Sequence, residues 1–179
     1  AGGKDPDGAF AKAIAALDRA IALDAEEPSE WEERGAIRAN WAVLREARGG
    51  DVDELYRAAD EDFGKAISLD PRRWKSWEAR ATAYLNWAIA LGGVGKDPEP
   101  ILAKAEADLD RALDLSRGGE ATVWLMRGMA RNHRGHAGKA RGQDPAESFA
   151  GAKADLARAL ELDPDSVESL VRRGMIEAD

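Results

Sequence analysis

The stretch Trp31-Glu32-Glu33-Arg34-Gly35 returns as Trp77-Glu78-Ala79-Arg80-Ala81, as Trp124-Leu125-Met126-Arg127-Gly128 and, with leucine for tryptophan, as Leu170-Val171-Arg172-Arg173-Gly174. The steps are 46, 47 and 46 residues. A second pattern, Ala-x-x-x-apolar-x-x-Ala, occurs at Ala13/Leu17/Ala20, Ala59/Phe63/Ala66, Ala105/Leu109/Ala112 and Ala152/Leu156/Ala159, with steps of 46, 46 and 47. Between the two lies a glycine-then-aspartate turn: Gly3-Lys4-Asp5-Pro6, Gly50-Asp51-Val52, Gly95-Lys96-Asp97-Pro98 and Gly142-Gln143-Asp144-Pro145. Three features that hold one register along the chain mark internal repeats.

Each turn combines a helix stop with a helix start. Glycine suits the left-handed residue past a helix C-terminus, aspartate accepts from the free N–H groups of the next helix, and proline at the first helical position loses no hydrogen bond. Asp51/Glu54 and Asp144/Glu147 also have the spacing of a capping box. The spacing predicts first helices (A) over 29–48, 73–92 and 120–137, second helices (B) over 6–24, 52–69, 99–116 and 145–162, and a last helix A over 166–177. The small residues let A and B approach closely, while Trp31, Trp77, Trp124, Phe63, Leu109 and Leu156 fill the space beside them.

Composition agrees with an all-α chain, because Ala, Leu, Glu, Asp, Arg and Lys dominate and the prolines fall between the apolar-periodic stretches. The 179 residues can bury a core without a metal or disulfide staple. With no cysteine, disulfides, thiolate metal sites and cysteine nucleophiles are excluded. A net charge of -8 opposes attraction to phosphate backbones and anionic lipid, so neither nucleic acid nor membrane is an expected partner. No apolar run reaches the roughly 20 residues of a membrane span, and the first residues form no signal segment. A cytoplasmic location is expected unless a signal has been removed.

Trp-x-x-x-Gly in helix A and Ala-x-x-x-Phe-x-x-Ala-x-x-x-x-Pro in helix B resemble the tetratricopeptide repeat signature. Ala59, Phe63, Ala66 and Pro71 match its second half, as do Ala152, Leu156, Ala159 and Pro164 with leucine for phenylalanine. The family repeat is about 34 residues, so about a dozen extra residues lengthen both helices at the far end of each hairpin. The resemblance implies an α-solenoid of antiparallel helical hairpins over 1–179: a half-repeat 1–28, repeats 29–72, 73–118 and 119–165, and a terminal helix 166–179.

It further implies a non-enzymatic scaffold that binds a protein or peptide in a concave groove lined by helix A. The positions carried over are Glu32, Ala36 and Asn40, then Glu78, Thr82 and Asn86, then Leu125, Met129 and His133. Members that clamp a terminal carboxylate use lysine, asparagine and arginine at positions this chain does not match, so such a clamp is not supported. Asn40-Trp41 and Asn86-Trp87 have two readings. The amides can read the backbone of an extended peptide, or they bond a neighbouring helix while the tryptophans extend the core.

No cofactor is expected. His133 and His136 lack the context of a metal site and read as a solvated, cationic helix end with Arg131, Arg134, Lys139 and Arg141, or as an anion contact. Arg72-Arg73-Trp74-Lys75 has the same two readings. Carboxylate pairs such as Glu26/Glu27 and Asp60/Asp62 read as a solvated face, not as acid/base machinery. Asp5-Pro6-Asp7-Gly8 and Asp51-Val52-Asp53-Glu54 lack the ligand run of a calcium loop. The alternative function is self-assembly. The first helix (Phe10, Ile14, Leu17, Ile21) lacks its helix A and the last (Val167, Leu170, Val171, Met175) lacks its helix B, so head-to-tail contact through the chain ends is the second expectation.

Overall fold

A computed structural model describes residues 6–177 of the chain. Its helices are α1 (Pro6–Leu23), α2 (Pro28–Glu46), α3 (Asp53–Leu69), α4 (Trp74–Gly93), α5 (Glu99–Ser116), α6 (Ala121–Ala140), α7 (Ala146–Leu162) and α8 (Val167–Glu177). No strand occurs among the described residues, and no helix is long and apolar enough to cross a membrane. The spans follow the periodicity closely, with α6 running on to Ala140. The expected turn Gly3-Lys4-Asp5 lies outside the described residues.

The chain divides within α4 into two compact units, the first ending at Trp87 and the second starting at Ala88. In the first, α2 and α3 form a hairpin whose backbones meet at Gly35: a Cβ there would lie 3.2 Å from both the Ala59 carbonyl and the Phe63 ring. Ala59, Phe63 and Ala66 are fully covered. In the second unit α6 and α7 repeat this contact, since a Cβ on Gly128 would lie 3.1 Å from Leu156 Cγ and 3.2 Å from the Ala152 carbonyl. Close approach at one point per hairpin is what the small residue after each arginine provides.

That arginine holds the hairpin by charge as well as by shape. Arg34 on α2 makes a two-nitrogen contact with Asp62 on α3 (Nη2–Oδ1 2.6 Å, Nε–Oδ2 3.1 Å), and Arg38 Nη1 donates to the second oxygen at 2.5 Å. Asp62 is 2% exposed. The α6–α7 hairpin has the same arrangement: Arg127 Nη2 and Arg131 Nη1 reach the two oxygens of buried Asp155 at 2.7 and 2.8 Å. Asp108, in the same register on α5, is equally buried. Each clamp arginine also reaches back to the preceding helix, Arg34 to Asp18 at 2.6 Å and Arg127 to Asp110 at 2.5 Å. Asp62 is therefore not part of a solvated face. Its neighbour Asp60 accepts from the Tyr84 hydroxyl at 2.5 Å.

The repeated tryptophan does not fill the core as expected. Trp31, Trp77 and Trp124 are only half-buried, and each indole N–H donates to a carbonyl six residues earlier, Ala25, Pro71 and Gly118, at 3.0, 3.2 and 2.9 Å. The ring then lies under its own repeat's arginine, with guanidinium-to-centroid distances of 4.8, 5.3 and 4.6 Å. Tryptophan thus pins the turn before helix A and covers one face of the clamp arginine.

In the opposite turns the left-handed residue is Gly49, Gly95 and Gly142, at φ of 74, 74 and 75°. In the first of these it is Gly49 and not the expected Gly50. The following aspartates, Asp51, Asp97 and Asp144, accept from the N–H two residues on, closing short turns and not three-residue capping boxes. Removing one partner of a buried charge pair strands the others without water, at a cost of about 3 kcal/mol. Asp62→Ala is expected to lose about that much stability in urea unfolding, whereas Asp18→Ala, at the half-exposed outer end of the same network, loses less than about 1 kcal/mol. Equal losses would show that burial is not what makes the clamp matter.

Candidate functional site

Clamps occupy one side of α2 and α6, and the positions expected to line a groove differ in what surrounds them. Glu32 is engaged within the first unit, accepting from the Ser76 hydroxyl and pairing with Arg73 at 3.2 Å, where it fixes the start of α4. Ala36 is half-buried. The Thr82 hydroxyl donates back to the Glu78 carbonyl at 2.9 Å. Leu125 packs against Ala152 and Leu156, the core of the α6–α7 hairpin. Met129 is half-buried. Asn40 is exposed, Asn86 and His133 are half-buried, and these three stand in one register on α2, α4 and α6. Three residues further on, again in register, come Val43 and Ile89, 41% and 45% exposed, and the exposed His136.

The tryptophans beside the asparagines are structural. Trp41 stacks on Phe10 at 5.9 Å and 8° and donates to Asp7 at 2.5 Å. Trp87 stacks on Tyr56 at 5.8 Å and 13° and donates to Asp53 at 3.0 Å. The buried Tyr56 hydroxyl has no partner, and burial, with Glu46 nearby, raises its pKa well above that of an ordinary phenol. The third position in this register is Arg134, which replaces the stacking contact by ion pairs to Glu99 at 2.7 Å and Glu106 at 3.4 Å. With Arg131 these groups line a polar cavity of about 610 Å³ that reaches α7. Burial raises the Glu106 pKa, against the pull of Arg134 and Arg131.

On the other side of α6 lies a cavity of about 530 Å³, walled by the end of α4, the α4–α5 turn, Leu102 of α5 and the second half of α6. Ile89, Gly92, Leu102, His133, His136 and Ala137 are among its lining residues. Two of these are smaller than their register mates in the first unit, Gly92 standing for Glu46 and Leu102 for Tyr56. The cavity was not found by sequence reasoning, although those two exchanges are its trace.

The cationic helix end also differs from the solvated expectation. Arg131 and Arg134 are engaged by carboxylates, and Arg141 pairs with Asp97 at 2.6 Å and Glu99 at 3.3 Å. Arg73 pairs with Glu32, and Lys75 lies over the Trp74 ring at 5.7 Å. His136 meets the Phe149 ring edge-on at 5.1 Å. Phe149 leaves no room beside Gly135, where a Cβ would approach the ring to 2.5 Å. Among the described residues no three His, Asp or Glu side chains are grouped to hold a metal ion.

Burial first, then Arg172 and His136, lower the His133 pKa from its ordinary 6.5. The unfolded chain then binds the proton more readily, so this residue weakens the fold as pH drops below about 6.5, until the lower folded-state value is passed. Between about pH 7 and pH 5, urea unfolding of the native chain is expected to lose more stability than that of His133→Gln. Parallel pH profiles would show that His133 titrates as it does in the unfolded chain.

The sequence matches no protein-family model and no curated protein. Its structure is similar to the Arabidopsis OM64 TPR domain, with TM-score 0.55 and 20% identity over 84% of this chain and 98% of that one. It is similar to the first TPR of Spaghetti (RPAP3) bound to an HSP90 peptide, SRMEEVD, with TM-score 0.53 and 21% identity over 82% and 95%. It also resembles the second TPR domain of human RPAP3 in complex with an HSP70 peptide, SGPTIEEVD, with TM-score 0.53 and 20% identity over 82% and 98%. The chain has the helical-repeat fold of tetratricopeptide repeat domains, built from repeats of 46 and 47 residues.

Proposed function

We propose that the chain is a non-enzymatic module that binds a peptide or protein segment on the open face of its first helices. The observation that carries this is the register of Asn40, Asn86 and His133 with Val43, Ile89 and His136. In a protein whose residues are 34% charged, the same two positions of α2, α4 and α6 carry six neutral or weakly basic residues, an amide or imidazole followed three residues on by an aliphatic group or a second imidazole. Amides donate and accept at once and so suit an extended backbone, and aliphatic neighbours shield those bonds from water. Many of the strong charges are meanwhile committed to clamps within the units, which is the opposite of an active site holding one carboxyl or base free for proton transfer. Fold relatives held with peptides agree with this use of the helices.

Of the positions carried over from the family, Asn40, Asn86, His133 and Met129 are retained as the binding set, with Ala36 and Thr82 beside them. Glu32 and Leu125 serve the fold. Random peptides displayed on phage should be enriched on the immobilised chain. Calorimetry with an enriched peptide should give a dissociation constant about tenfold weaker for Asn86→Ala, the loss of one or two hydrogen bonds, with the melting temperature unchanged. Enriched peptides that bind Asn40→Ala and Asn86→Ala as tightly as the native chain would contradict the assignment.

One observation favours self-association as a second role. On α8, Val167, Leu170, Val171 and Met175 are 72, 43, 49 and 58% exposed, an apolar face on a helix of 11 residues. On α1, by contrast, Phe10, Ile14 and Leu17 are half-buried and Ile21 is buried. If α8 joins copies, light scattering across a concentration series will show a mass increase that Leu170→Asp abolishes. A constant monomer mass removes this role.

A further inference from the structure

We infer that the exposed face of α8 docks on α1 of a second copy and completes, between molecules, the hairpin that α2 forms with α3 and α6 with α7, an inference that rests on the self-association proposed above. α8 carries the signature of a first helix: Leu170, Arg173 and Gly174 stand where Trp31, Arg34 and Gly35 stand in α2 and Trp124, Arg127 and Gly128 in α6. In both of those hairpins the second helix fills the space over the glycine, its nearest atom 3.2 Å from a Cβ on Gly35 and 3.1 Å from one on Gly128. Over Gly174 that space is open, with nothing within 4 Å of the same point. Val171 is in register with Leu125, which packs on Ala152 and Leu156 of α7, yet Val171 is exposed.

The matching surface is carried by the same chain. Ala13, Leu17 and Ala20 of α1 are in register with Ala59, Phe63 and Ala66 of α3 and with Ala152, Leu156 and Ala159 of α7. Those six are fully covered, whereas the three on α1 are half-buried. Their mates are the residues that meet the first helix: Ala59 and Phe63 lie over Gly35, and Ala152 and Leu156 over Gly128. Every copy thus offers one face of each kind, the two halves of an interface that the chain builds twice within itself, and this is what selects a second copy as the occupant. One element differs. Ala16, which is exposed, stands where Asp62 and Asp155 stand, so α1 brings no carboxylate to the place where a clamp forms. The joint is therefore held by apolar contact and is weaker than the internal hairpins. Two unlike faces make a heterologous contact, which adds copies in a row until a ring closes or a filament extends.

Ala16 and Gly174 allow tests that leave the fold of the single chain in place, since the first is exposed and a Cβ on the second meets nothing. Gly174→Leu puts a side chain where the Ala13 carbonyl of the next copy approaches. Ala16→Arg sets a long cation against Arg173 of the next copy. In sedimentation equilibrium across a concentration series, each variant is expected to weaken association about tenfold or more, with melting unchanged at dilutions where the native chain is monomeric. Mixed in equal amounts the two variants should form a dimer, because one keeps a working α1 and the other a working α8. Ala16→Asp supplies the clamp carboxylate and should tighten association about tenfold, a gain that disappears when Arg173→Ala is added. If Gly174→Leu abolishes association while neither Ala16 variant changes it, or if the mixed variants stay monomeric, the pairing with α1 is overturned and self-association through α8 stands. A native chain that is monomeric at every concentration overturns both.

Discussion

Asp62 and Asp155 are buried carboxylates, each shared between two arginines of the facing helix, and the hairpins depend on this contact. A charge removed from water is costly unless its partners meet it with good geometry, so the aspartate tolerates only the helix register that brings both guanidinium groups within hydrogen-bonding distance. Apolar burial between α2 and α3, or α6 and α7, would accept neighbouring registers far more readily. The clamp supplies the specificity that alanine-rich helices lack. It works with the tryptophan latch, because a ring tied to the preceding turn covers the arginine and limits where its head can point.

The clamp also explains how the first helices come to have two unlike faces. Arginines spaced four apart, Arg34/Arg38 and Arg127/Arg131, keep one face turned to the second helix. Along these helices positions 40, 43, 89 and 136 are exposed and positions 86 and 133 half-buried. Asparagine, valine, isoleucine and histidine occupy them. The second unit shows what such variation does: where Trp87 and Tyr56 stack in the first, Arg134 turns to Glu99, and Leu102 floors an open cavity.

Helices, turns and repeat length were legible in the sequence because each rests on neighbours close along the chain. Glycine, aspartate and proline set the turns through bonds spanning two to five residues. The slip between Gly50 and Gly49 shows the resolution of that signal, since two adjacent glycines offer the same freedom. Asp62 was not legible, because its partners lie 28 and 24 residues away and composition alone makes a carboxylate look solvated. The clue was present in the constant interval from Arg34 to Asp62, Arg80 to Asp108 and Arg127 to Asp155. Trp31 was misplaced for a related reason: ring size argues for the core, while the indole N–H needs a carbonyl, and the turn provides one. The cavity was hidden because it arises from what Gly92 and Leu102 lack, not from a residue that announces itself.

The clamps of α2 and α6 and the proposed partner face of the first helices can be tested together. The most direct measurement is a map of backbone and side-chain chemical-shift changes when an enriched peptide is titrated into isotope-labelled protein. Changes concentrated at Asn86, Ile89, His133 and His136, with the resonances of Arg127, Arg131 and Asp155 unmoved, are the predicted result. Changes centred instead on the outer faces of α5 and α7, or spread through the clamps, would contradict it.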